Sequence, residues 1–335
     1  VHATHNHEGP DTQGLWGTSP LSSGVNDTYL RFLRDEMIGA LTDATLALEP
    51  ATLHMLEFPN PPQTPVRDAR KPSVVDDAVR VLALQSRSGA LLGTIVNFGI
   101  HVELAWDKNL LLTSDVAGYL RDGISNGIRD DGSLLKAGIG GTTLWLTGNI
   151  GGLMTSGPGE WVEDPCSGER ITEAGHSKAR AFGHGLASAV IDQWNDALFF
   201  KDTEPDLEIR SQEVEFGITN WMLALATITG VVDSSPSFHL TWPFIRYKSE
   251  VAWLKIGQAT LTAIPGELYP EIAVGGIENP EGADFAIEPI EVPPLRDALH
   301  GRVNLMVNLA NDAIGYIIPK SEWDKEAPWI YGESE

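Results

Sequence analysis

The sequence predicts a mixed α/β fold (α+β), in which twisted β-sheets are flanked by helices. Three observations lead there. Short runs of apolar and β-branched residues recur at 79–84, 91–98, 143–146, 207–216 and 303–309. Two longer stretches, about 26–49 and 171–196, carry apolar residues at helical spacing. Helical patterns interleave with the early strands, while the chain from Leu207 onward is mainly strand-like, as layered sheets with flanking helices require.

In chain order, Thr4-His5-Asn6-His7-Glu8-Gly9-Pro10 reads as a strand that ends in a turn. Strand alternation would put His5 and His7 on one face, two imidazoles converging on one spot. Residues 11–24 are rich in Gly, Ser and Thr and read as a loop over that spot. Asn26-Asp27-Thr28 caps the following helix in preference to serving as a glycosylation sequon. In that helix Leu33, Met37, Leu41 and Ala44 should lie on a sheet. Residues 59–72 form a Pro-rich connection holding Arg67, Asp68, Arg70 and Lys71, and 79–84 and 91–98 form a hairpin about Ser88-Gly89.

A short helix is expected over 116–127. The strand at 143–146 runs into Thr147-Gly148-Asn149-Ile150-Gly151-Gly152, where glycines let the backbone approach a ligand. That run lacks the Lys-Ser/Thr ending of a phosphate loop. Residues 171–194 form a long amphipathic helix, and strands follow at 207–216, 240–247 and 250–264. With no repeat and no long linker, residues 1–335 read as a single domain.

Forty-six acidic against 23 basic residues give a formal charge of −23, which repels nucleic acid and anionic lipid. No apolar run approaches a membrane span. Cys166 is the sole cysteine, so no internal disulfide forms. Opening on Val1 without an initiator Met, the chain reads as processed or incomplete at its N-terminus, and a secreted or periplasmic location is expected. Oligomeric state is left open.

Four strand ends break at Gly or Pro beside a residue able to bind a metal: His5, His101, Glu267 and Tyr316. Two imidazoles and a carboxylate are a recurrent catalytic zinc set. A phenol, titrating near pH ~10, would be an unusual fourth ligand. Each has an ordinary alternative: core histidines bonded to carbonyls, a glutamate capping a helix, a buried tyrosine.

These stretches resemble the neutral/alkaline (non-lysosomal) ceramidase family, zinc-dependent amidases that cleave the N-acyl bond of ceramide. Thr4 to Pro10 resembles that family's THTHSGP motif, Asn97-Phe98-Gly99-Ile100-His101 its FATHGT segment, and Ser114-Asp115-Val116-Ala117-Gly118-Tyr119 its SGDNKGY. Ile264-Pro265-Gly266-Glu267 is similar to VPGE, residues 309–316 to LANxYxGY, and Arg70-Lys71-Pro72 to Arg-Ser-Pro. The matches follow the family's order along nearly the whole chain. The resemblance implies a ceramidase-like catalytic domain with Zn2+ held by His5, His101, Glu267 and Tyr316. It also implies His7 beside the metal and Arg70 near the substrate carbonyl.

Two departures stand out. The family's Asn-x-Gly-Asp-Val-Ser-Pro becomes Asn149-Ile150-Gly151-Gly152-Leu153-Met154, which removes the serine, and the motif serine after the second histidine becomes Glu8. Glu8 could act as a base or orient His7. The family's C-terminal immunoglobulin-like domain has no counterpart in these residues. The expected function is that of a divergent short member: a zinc-dependent hydrolase of an amide bond in an N-acyl amide or ceramide-like lipid, using metal-activated water. The alternatives are an esterase or lactonase on the same scaffold, or an inactive relative that binds a lipid or other small ligand.

Overall fold

The structure is a computed structural model that describes residues 1–19, 22–68, 73–152, 154–232, 236–275 and 293–319. They fall into two compact units. One comprises Val1–Glu8, Ala51–Ser211 and Val251–Glu335, the other Gly9–Pro50 and Gln212–Glu250.

The first unit is built around a five-stranded sheet. The hairpin Ala78–Ser86/Leu91–Phe98 lies at its middle, with a register shift at Leu84/Gln85 before the turn. Ala51–Pro59 pairs antiparallel with Ala78–Ser86, and Phe200–Asp202 adds the edge beyond it. Thr142–Thr147 completes the other edge, parallel to Leu91–Phe98. A parallel neighbour requires a crossover, and the chain supplies it with the helix Asp115–Asn126.

Alternation along these strands divides the core in two. Val79, Val81, Val96 and Phe98 face the helices Asp115–Asn126 and His176–Asn195, where Leu120, Ile124, Phe182, Leu186 and Val190 meet them. Leu53, Met55 and Leu82 point the other way, onto Ala259, Ala263, Val303, Leu305 and Val307. Those five belong to a second sheet, in which Ala259–Ala263 runs antiparallel to Ile245–Ile256 and parallel to Val303–Val307. Each large aliphatic side chain taken from water into such a core contributes about 1.5–3 kcal/mol. The first unit is therefore three layers, helices on sheet on sheet, as the predicted fold class requires.

Several boundaries differ from expectation. The long helix starts at His176, because Arg170–Ile171 is drawn into a short antiparallel pair with Val162–Glu163. Ile245–Ile256 is one strand, and the break comes at the tight turn Gly257-Gln258, where Gly257 has φ +58°. The sequence patterns missed the strand Ala51–Pro59 and the helix Trp221–Thr229.

In the second unit Asn26 caps the helix Asp27–Leu46, its side-chain oxygen accepting from the amides of Thr28 and Tyr29. The expected packing of that helix on a sheet is not found: none of its residues is buried, and Leu41 is 68% exposed. Trp221–Thr229 is capped by Asn220 and stopped by Gly230 in the left-handed conformation. Pro236–Phe238 pairs antiparallel with the start of Ile245–Ile256. Among the described residues no helix is long and apolar enough to cross a membrane.

Candidate metal centre

The first residues form an arm, not a strand. Ala3 donates to the carbonyl of Leu309, Asn311 to that of Val1, and His7 to that of Val102. Thr147 ties the arm to the sheet, its amide donating to His2 Nε2 and its hydroxyl to the carbonyl of Thr4. His5 sits at φ +56°, in the left-handed region. The two imidazoles therefore converge through a reversal at His5 and not through pleat alternation, which corrects the expected strand. Their ring centroids are 4.7 Å apart, and that of His101 lies 4.9 Å from His5 and 5.5 Å from His7.

His101 follows the end of Leu91–Phe98 and is buried. Its amide and its Nδ1 both lie on the carbonyl of Met154, at 2.9 and 3.0 Å. A carbonyl can only accept, so Nδ1 carries the proton and Nε2 turns its lone pair toward the other histidines. Met154 is itself buried, so at the position of the absent serine it supplies a backbone acceptor.

Glu267 comes from the second sheet's side of the unit. Ala259–Ala263 ends at Pro265-Gly266, and Glu267–Leu268 then pairs parallel with Tyr316–Ile317, in register Glu267 to Tyr316. Oε2 of Glu267 lies 3.7 Å from Nε2 of His5 and 3.5 Å from Nε2 of His101, and this buried oxygen has no hydrogen-bond partner among the described residues. Two donors each about 2.0–2.2 Å from a tetrahedral ion lie roughly 3.3–3.6 Å from one another, close to these separations. One donor atom from each of His5, His7 and His101 falls within 4.8 Å of the others. The imidazole nitrogens of His5 and His101 with the unpartnered Glu267 oxygen are a donor set that fits a divalent cation, and the His7 ring stands beside them.

Burial lowers His5 to about pKa 4, against the pull of Glu267, so its ring is neutral and available as a ligand. Burial also opposes charge on His101, but Glu267 and Glu103 outweigh it and raise that ring. Glu267 is held below the usual carboxylate range because His101 and His5 outweigh its own burial. Tyr316 is pushed up to about 12 by burial and by the charges of Glu267 and Glu103, so its phenol stays protonated unless a cation is present.

Glu103 was not anticipated. Its Oε2 lies 3.1 Å from Nδ1 of His7, and its carboxyl is held low because His7 and His101 outweigh burial. The only sequence signal is its place two residues after His101, with no Gly or Pro beside it. The segment is fixed by Asp115, whose buried carboxylate accepts from the amides of Leu104, Ala105 and Val116. Glu8 reaches the hydroxyl of Thr113, and burial raises its carboxyl, so the carboxylate bonded to His7 is Glu103 and not Glu8. His7, Glu8, Glu103, Trp106 and Asp107 line a cavity of about 280 Å3. Arg70 lies outside the described residues.

The glycines of the 148–152 run approach backbone instead of the expected ligand. A Cβ on Gly151 would collide with the Tyr269 ring and come within 2.7 Å of the Glu267 carbonyl oxygen, and one on Gly99 would come within 2.6 Å of the Asn149 carbonyl oxygen. Asn149 and Asn308 bond each other, and Asn308 Oδ1 accepts from the amides of Ile150 and Leu268. The strand ends that carry His101 and Glu267 are thus braced together.

No protein-family model matches the sequence, and no curated protein matches it significantly. Two solved structures share the fold. One is the neutral ceramidase from Pseudomonas aeruginosa, with a TM-score of 0.59 and 14% identity over 89% of this chain and 51% of that one. The other is a ceramidase complexed with C2, with a TM-score of 0.66 and 13% identity over 98% of this chain and 58% of that one. The chain thus spans about half the length of each, and its mixed sheets and flanking helices are similar to the neutral ceramidase fold.

Proposed function

We propose that the chain is a metal-dependent hydrolase of an amide bond, with an N-acyl amide of the ceramide-like class as substrate. The observation that carries the reading is the buried Oε2 of Glu267, without a hydrogen bond and within 3.7 Å of two imidazole nitrogens from distant segments. Leaving a carboxylate oxygen dry and unbonded is costly unless a cation completes it. The nitrogen and oxygen donors suit zinc, held by His5, His101 and Glu267, with Tyr316 beside them. Such an ion would polarise the substrate carbonyl and acidify a water.

The chain's own residues supply the rest. With its Nδ1 proton held by Glu103, His7 keeps Nε2 free to take a proton from the attacking water and return it to the departing amine. Glu103 fixes the tautomer and offsets the charge that forms on the ring. Met154 holds the His101 ring by its carbonyl, so attack by water needs no side-chain nucleophile at that position. Trp106 and Asp107 line the space beside His7 where a substrate head group would sit.

The test is turnover of a panel of N-acyl amides, esters and lactones by the zinc-loaded chain. Amide hydrolysis that His101→Ala abolishes is the expected result. Turnover of esters or lactones alone would redirect the reading to an esterase or lactonase. Absence of any turnover with zinc bound would leave a binding protein.

A further inference from the structure

The second unit carries an apolar surface that the hydrolytic reading does not use. Trp221–Thr229, with the sequence WMLALATIT, contains no charge. Its packing is inverted. The small side chain of Ala224 and the polar one of Thr227 are buried, while Trp221, Leu225 and Ile228, at i, i+4 and i+7 on one face, stand exposed with Met222. Apolar outward faces of this kind mark contact surfaces.

Both flanks of the helix extend it. Before its N-terminus, Ile218 donates to the carbonyl of Ile245 and Gly217 sits against Pro243, which brings in the exposed rings of Trp242 and Phe244. After its C-terminus, Gly14 is packed against the Val231 carbonyl, which brings in the exposed Leu15 and Trp16. Trp16, Trp221 and Trp242 are 82%, 72% and 67% exposed. Residues 12–25, 217–232 and 236–245 hold no Lys, Arg, Asp or Glu, in a chain with 46 acidic and 23 basic residues.

We propose that this unit docks on a zwitterionic lipid surface through the Trp221–Thr229 helix, with Trp16 and Trp242 seated at the headgroup boundary. Charge selects the occupant. A second copy would bring two chains of −23 together, and anionic lipid or nucleic acid would be repelled, whereas phosphatidylcholine carries no net charge. Tryptophan favours the membrane–water boundary. A nine-residue helix is about 13 Å long, enough to lie in that boundary and too short to cross.

The test uses the full chain with vesicles of pure phosphatidylcholine, read by co-sedimentation and by quenching of tryptophan fluorescence with bromine-labelled lipid. The chain is expected to sediment with the vesicles, to be quenched, and to bind less when phosphatidylserine is added. W221S/L225S, altering two exposed side chains, should weaken partitioning about tenfold or more with an unchanged circular dichroism spectrum. Lack of binding and quenching by the unaltered chain overturns the proposal, as does binding that the double substitution leaves intact. A dimer in sedimentation equilibrium that the substitutions dissolve, without vesicle binding, would make the face a self-contact and overturn it too. No readout involves turnover, so failure here leaves the hydrolase reading untouched.

Discussion

Glu267, His5 and His101 depend on one another through a few ångströms of space that no hydrogen bond fills. Glu267→Ala and His5→Ala are each expected to lose bound zinc by elemental analysis, and stoichiometric metal in either variant would strike that residue from the ligand set. Glu103→Gln keeps the shape beside His7 but removes the charge, so the zinc content should hold while kcat falls about 10²–10⁴-fold. Met154→Ser should leave zinc binding unchanged, because residue 154 contributes its carbonyl. Away from the site, Asp76 is buried between Arg80 and Arg296 and accepts from Asn149. Burial raises its carboxyl, but the two guanidinium groups outweigh that and hold it below its ordinary value. The stabilisation it provides is full above the unfolded value of about 3.9 and is lost as pH falls through the lower folded one. Asp76→Ala, which removes the carboxylate shared by Arg80 and Arg296 and leaves Arg80 with Glu57 as its remaining carboxylate partner, should cost about 3 kcal/mol in denaturant unfolding at pH 7, and less at pH 3. His5, His101 and Glu267 were legible because each stands beside Gly or Pro or within a doublet. Glu103 lacked such a marker, and Glu8, inside the motif, was expected at the place beside His7 that Glu103 occupies.

At the level of elements, the glycine run after Thr142–Thr147 illustrates how local pattern and tertiary purpose part company. Gly151 is small because Tyr269 and the Glu267 backbone lie against it. Gly151→Ala should cost about 1–3 kcal/mol by overpacking and, by shifting Glu267, weaken zinc affinity, which a competition titration with a chelator would measure. The hairpin Ala78–Ser86/Leu91–Phe98 was readable because its apolar runs flank a Ser-Gly turn. Ala51–Pro59 was not, because His54 and Glu57 interrupt the pattern. The structure resolves both: His54 is buried with its ring 5.0 Å from that of Trp194, and Glu57 binds Arg80 on the neighbouring strand. The helix Asp27–Leu46 shows the reverse error, since helical spacing of Leu33, Met37 and Leu41 was read as a buried stripe that the structure leaves unburied.

For the molecule as a whole, a cation at this site would join the N-terminal arm, the end of Leu91–Phe98 and the Glu267–Leu268 strand. Binding to the folded state alone adds stability by mass action, about 4 kcal/mol when free zinc is a thousand times Kd. Chelation should therefore lower Tm in scanning calorimetry, and zinc, added back, should restore it; an unchanged Tm would argue that the three segments are not linked by a metal. The layered fold class followed from the interleaving of strand and helix patterns. Strand order did not, because Thr142–Thr147 beside Leu91–Phe98 and Val303–Val307 beside Ala259–Ala263 are parallel pairs whose partners no local turn selects.

The arm has a consequence for biosynthesis. Val1, Ala3 and their neighbours are bonded to Leu309 and Asn311, across as many as 310 positions of sequence. His5 and His7 leave the ribosome long before Glu267 does, and although Val102 and Thr147 can seat part of the arm earlier, its bonds to Leu309 and Asn311 form only after the segment around residue 310 has followed. Under the proposed metal assignment, a nascent chain would lack the Glu267 carboxylate until residue 267 had been made, and loading of an ion would come late in translation or after it.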